Sequence, residues 1–70
     1  MTRKYHTLCI WDYHRKAWFD DFGSYELSEV EDEYQSALDD GYKTKYLAII
    51  TTDETAAAMT EARDDLPMPK

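Results

Sequence analysis

Bulky and β-branched positions gather near the start of the chain. Lys4 to Asp12 reads Lys-Tyr-His-Thr-Leu-Cys-Ile-Trp-Asp, and its bulky and β-branched residues predict a strand. Tyr5, Thr7, Cys9 and Trp11 would share one face, with His6, Leu8 and Ile10 on the other. Both faces are largely apolar, so this strand belongs in the middle of a sheet. Asp12-Tyr13-His14-Arg15 is polar enough to reverse the chain. Lys16 to Phe22 then predicts a second strand, and the two form a hairpin. Trp18 and Phe19 give the second strand its apolar mass. Asp20 and Asp21 mark it as an edge, where charge discourages pairing with other chains.

The pattern changes period after Gly23 and Ser24. Val30, Tyr34, Ala37 and Leu38 fall at i, i+4, i+7 and i+8, one stripe of a helix. Ser28 with Glu31 matches a reciprocal cap at the helix start, and Gly41 can take the left-handed turn that ends it. Tyr42 to Thr52 predicts a third strand centred on Tyr46-Leu47-Ala48-Ile49-Ile50. Thr52 or Asp53 would cap a second helix through Ala56-Ala57-Ala58 to about Arg63, with Met59, Ala62 and Leu66 as its thin apolar stripe. Pro67 prevents further helix, so residues 67–70 are expected as a flexible tail behind a single domain over 1–66.

The expected class is α+β with order ββαβα. A right-handed crossover through the first helix lays strand three parallel to strand two, on the far side of strand one. The sheet order is then 2-1-3, with the main helix packed on one face. The second helix would share that face or cap an edge.

Composition narrows what such a domain could do. Seventy residues bury only about 60% of the surface exposed when unfolded, so the core needs good packing or a partner. A single cysteine, Cys9, excludes an internal disulfide, and no cysteine pair or tight His/Cys cluster suggests zinc. The net charge of −7 is unevenly placed: residues 17–42 hold nine carboxylates and no Lys or Arg. Direct binding to a nucleic-acid backbone wants clustered Lys and Arg, which this distribution lacks. The opening residues have no apolar stretch of signal-peptide kind, and no run approaches a bilayer span. A cytoplasmic location is the expectation.

Chemical constellations are few. His6, Cys9 and His14 suggest a metal or a Cys–His pair, but His6 and Cys9 fall on opposite faces of one strand. Asp20/Asp21 and Asp64/Asp65 are adjacent acids with no phosphate-binding loop or third ligand beside them. No catalytic residue, metal or cofactor is therefore assigned, and no enzyme activity is expected.

The acidic helix is the strongest remaining signal. Glu29 and Glu33 are like charges at i,i+4, as are Glu29 and Asp32 at i,i+3. Asp39 and Asp40 sit where the helix dipole disfavours acids. Local cost without local gain suggests a task at a distance, and single-sign fields steer association. Small size, acidity, aromatic content and the lack of reaction machinery resemble small phage-encoded accessory proteins, including inhibitors of host nucleic-acid enzymes. That resemblance is one of general style and transfers no residue.

The expectation is a non-enzymatic inhibitor or adaptor whose acidic face imitates a row of nucleic-acid phosphates for a basic partner protein. Glu29, Asp32, Glu33, Asp39 and Asp40 would supply the field, with Phe22 and Tyr42 as anchors. The alternative is a structural homodimer through an uncovered aromatic sheet face carrying Tyr5, Trp11 and Tyr46, with acidity serving solubility only.

Overall fold

A computed structural model describes residues 3–69. Strand β1 (Lys4–Asp12) and strand β2 (Ala17–Ser24) precede helix α1 (Leu27–Asp39). A short 3₁₀ turn over Thr44–Tyr46 leads into strand β3 (Leu47–Asp53), and helix α2 (Ala56–Asp64) follows. The class is α+β, and the sheet order is β2-β1-β3. Both outer strands run antiparallel to β1, so β2 and β3 point the same way, as the crossover argument requires. The central position of β1 follows from its two apolar faces: Thr7, Leu8, Cys9 and Ile10 are all buried.

The hairpin turn is built from side-chain chemistry. Asp12 Oδ1 accepts from the amides of His14 at 2.9 Å and Arg15 at 3.0 Å. Those bonds, that of Arg15 foremost, hold the Asp12 carboxyl below its usual range. Lys16 closes the turn with φ of 54°, so β2 starts one residue later than the pattern predicts. The strand also runs further than expected. Gly23 and Ser24 do not break it; they stand opposite Thr7 and His6 in the ladder.

Gly23 stays in the strand because the Tyr5 ring lies across it. A Cβ there would come within 2.6 Å of Tyr5 Cε2. Gly23→Ala should therefore cost about 1–3 kcal/mol, the usual range for overpacking. Most of that loss should disappear in a Tyr5→Leu background, measured by paired thermal melts. An unchanged melting temperature for Gly23→Ala would mean the ring moves aside freely.

Helix α1 begins differently from its sequence signature. Ser28 is already inside the first turn, where its hydroxyl cannot cap, and the capping position falls on Glu26 without a side-chain bond. Ser24 organises the start instead: its hydroxyl accepts from the Glu26 amide and donates to the Glu29 carboxylate. The other end is as expected. Gly41 takes φ of 107°, its amide bonds Leu38 O, and the Tyr42 amide bonds Ala37 O. This pair of bonds satisfies two orphan carbonyls.

Two further boundaries move. Thr44–Tyr46 form the 3₁₀ turn, so β3 starts at Leu47 rather than Tyr42. Thr52 and Asp53 are held in the ladder opposite Tyr5 and Lys4, so neither caps α2. Thr55 does, accepting from the Ala58 amide at 3.1 Å.

The two helices lie on opposite sides of the sheet. Ile10 and Leu47 meet Ala37, Tyr34 and Leu38 of α1. Val30 is fully buried on the same helix. Thr7, on the other face of β1, meets Met59 of α2, and Arg63 reaches Asp20 of β2 at 3.5 Å. Helix α2 thus crosses the second face, where the sequence suggested a shared face or an edge. The physical reason is β1 itself, whose two apolar faces both need cover. Past α2, Trp18 Nε1 donates to Pro67 O at 3.1 Å, tying residue 67 to β2.

Among the described residues, no helix is long and apolar enough to cross a membrane.

Candidate functional site

The acids of α1 divide into three groups once the helix is in place. Val30 and Ala37 fix the inward side. Glu33 and Asp40, seven residues apart, project along the flank that faces β2. Asp32 lies on the outer side, exposed. Glu29 is held at the helix start by the Ser24 hydroxyl, and Asp39 accepts from Gln35 Nε2 at 3.3 Å. Ion pairs among the described residues join Lys4 to Asp53, Arg15 to Asp12, and Arg63 to Asp20 and Asp64. None of these reaches a carboxylate of α1.

Glu33 and Asp40 share a shallow depression of about 200 Å³ with Asp21, Ser36 and Tyr42, floored by Ile10 and Ala37. Asp21 arrives there through a β-bulge. Leu8 pairs with Phe22 and Cys9 with Asp20, which leaves Asp21 as the extra residue of β2. Tyr42 follows the helix-ending Gly41, and its side chain is 47% exposed at the rim. The result is three carboxylates and a phenol around an apolar floor. Such a surface suits a cation with an aliphatic stem, since the acids satisfy the charge and the floor accepts the methylenes.

The structure brings together only part of the expected set. Glu33, Asp40 and Tyr42 meet; Glu29, Asp32 and Asp39 border the same helix without entering the depression. Phe22 does not line the depression that Tyr42 borders. It stands half-buried in the ladder opposite Leu8 and lines a different depression with Tyr5 and Met59. Asp21 was not assigned to the acidic face from sequence. Its charge hinted at the role, but its direction depends on the bulge.

The aromatic residues expected on one open sheet face are dispersed into three intramolecular pairs. Tyr5 packs edge-on to Tyr25 at 4.9 Å, Trp11 to Trp18 at 5.6 Å, and Tyr13 to Tyr46 at 6.5 Å between ring centroids. Arg3 stacks over Tyr25 at 4.3 Å, and the Tyr25 hydroxyl donates to Glu54 at 2.7 Å. That bond to a carboxylate raises the Tyr25 pKa. Helix α2 packs on the Thr7/Cys9 face, where Thr7 meets Met59.

The histidines and the cysteine do not converge. His6 Nδ1 lies 2.8 Å from Thr51 Oγ1 on the α1 side. Cys9 is fully buried on the α2 side, with Sγ 3.9 Å from Asp20 Oδ1. His14 is exposed in the hairpin turn. Burial, aided by the Asp20 charge, pushes the thiol up to about 12, the opposite of an activated nucleophile. Among the described residues, no group of three or more His, Cys, Asp or Glu is placed to hold a metal ion. Comparison with protein-family models, curated proteins and solved structures yields no match.

Proposed function

We propose that this protein is a non-enzymatic binding module, an inhibitor or adaptor that presents the acidic flank of α1 to a basic partner protein. One observation carries the reading: Asp21, Glu33 and Asp40 come from two elements yet border one depression beside the exposed Tyr42. Acids scattered for solubility alone have no reason to gather around an apolar floor. The partner's basic surface is of the kind that binds nucleic-acid phosphates, and the α1 carboxylates stand in for them. Glu29, Asp32 and Asp39 extend the field beyond the depression, where they act on association rate more than on contact energy.

The test is a titration of a basic partner captured from the native cell. Binding is measured at low and high salt with wild type and with Asp21, Glu33, Asp40, Glu29 and Asp32 changed to Asn or Gln. Stability of the variant should hold or rise slightly, because like-charge pairs and an acid near the helix C-terminus are relieved. Its association should slow by about tenfold or more, and wild-type binding should weaken steeply with salt. Added DNA or RNA should compete for the partner. Equal affinity for the neutralised variant, with no salt dependence, would reduce the acids to a solvated surface.

A further inference from the structure

Trp11 and Trp18 stand directly opposite each other in the β1–β2 ladder and pack edge-on across it. They lie on the α2 side of the sheet, where Arg63 and Asp64 border the same depression. The chain beyond α2 returns over this pair. Proline has no amide hydrogen and disfavours helix at the residue before it, so Leu66-Pro67-Met68-Pro69 leaves α2 without regular structure. The Pro67 carbonyl accepts from Trp18 Nε1 at 3.1 Å, and Met68 and Pro69 border Trp11 and Tyr13. Aromatic-lined grooves suit proline-containing segments, which lose little chain entropy on docking. The indole N–H adds a donor for a carbonyl in a stretch whose prolines offer none.

The segment sits on the groove without filling it. Depressions of about 360 and 230 Å³ remain beside the tryptophans, and Met68 borders both. The Met68 side chain is nevertheless 65% exposed, and Pro67 is exposed next to it. Among the described residues, one hydrogen bond holds residues 67–69 to the rest of the chain. A single exposed bond with so little buried apolar surface is a weak hold.

We propose that the Trp11/Trp18 groove is a docking site for a proline-containing peptide segment, and that residues 66–69 are its built-in, exchangeable occupant. The chemistry of the ligand is read from the segment already seated there. It offers a carbonyl to Trp18 Nε1, proline rings to the aromatic walls, and an apolar side chain between the prolines. The open space beside Met68 lets an incoming segment engage Trp11 before the tail lets go of Trp18. Tethering gives the tail a high effective concentration, so it screens out weak ligands and yields to better ones. The groove lies on the opposite sheet face from the acidic flank, which Ile10 floors, and so does not depend on the proposed basic partner.

The test uses the full chain and a dye-labelled peptide, Asp-Asp-Leu-Pro-Met-Pro, the sequence of residues 64–69. Pro67→Gly with Pro69→Gly keeps the length of the tail but loosens it. This variant should shift the Trp18 indole N–H resonance toward its solvent-exposed position, with the far-ultraviolet spectrum unchanged. By fluorescence anisotropy it should bind the peptide about tenfold or more tightly than wild type, whose own tail competes. A peptide with both prolines replaced by glycine should bind neither protein. Adding Trp18→Phe to the loosened variant keeps a ring but removes the donor, and should weaken binding while the fold stays native. An unmoved Trp18 resonance in the loosened variant would overturn the proposal. So would equal affinity of wild type and variant, equal affinity of the two peptides, or no binding to the variant at millimolar concentration. Binding unchanged by Trp18→Phe would place the peptide elsewhere and sink it as well.

Discussion

Leu8→Ala should cost about 3–5 kcal/mol, near the upper end for a buried leucine. Leu8 is fully buried in the middle of the central strand, on the face that α1 covers. Neighbours on both sides are fixed by ladder pairs, to Phe22 in β2 and Ile49 in β3, so the cavity cannot collapse easily. A 70-residue domain without a disulfide has only a few kcal/mol in reserve. The variant should therefore lose its cooperative urea transition, followed by Trp fluorescence and far-ultraviolet circular dichroism. Leu38→Ala gives the contrast. Leu38 is only half-buried at the margin of the core and should cost about 1–2 kcal/mol, in proportion to its smaller buried area. A larger loss at Leu38 than at Leu8 would mean that α1 sits on the sheet in a different phase.

The same residues explain why so much of the fold is legible. A strand whose odd and even positions are both apolar has only one place in a small sheet, the centre, and that fixes the order 2-1-3. Two pleated faces then require two covers. The Cys9 side of β1 thus carried the information that placed α2, although the thin stripe of Met59, Ala62 and Leu66 gave no direction by itself. What local pattern did not encode were tertiary decisions. Gly23 looks like a strand breaker until Tyr5 lies across it. Ser28 with Glu31 looks like a cap until Ser24 engages Glu26 and Glu29 and starts the helix earlier.

The candidate site was legible as a charge distribution but not as a geometry. Helical spacing alone puts Glu33 and Asp40 on one flank, and Gly41 delivers Tyr42 to the end of it. Whether Asp20 or Asp21 joins them depends on which is the bulged residue. Two adjacent acids give a period-two pattern no apolar contrast with which to choose. Asp21 borders the acidic depression and also lines, with Asp20, the depression beside Met59; Asp20 in addition faces Cys9 and Arg63.

That pairing of Asp20 with Cys9 makes folding sensitive to alkali. Burial foremost, then the Asp20 charge, raises the thiol from 9.0 to about 12, while nearby Arg63 acts in the opposite direction. An unfolded chain releases the Cys9 proton near pH 9; the folded chain retains it until near pH 12. Between those values the unfolded state binds fewer protons than the native one, so stability falls as pH rises. Below pH 9 the contribution is complete. The slope from this one group cannot exceed ~1.4 kcal/mol per pH unit. Every other contribution to alkaline stability is shared by a Cys9→Ala variant. The informative quantity is therefore the difference between wild type and Cys9→Ala in urea unfolding. It should be constant from neutral pH to about 8.5 and should then shift steadily against wild type above the ordinary thiol range. A disulfide reagent at about pH 8 should react with native Cys9 only as fast as the protein opens, and at full speed once urea exposes it. Parallel stability curves for the two proteins across the alkaline range would show that the thiolate is tolerated inside the fold, and that Asp20 and the surrounding apolar packing do not exclude it.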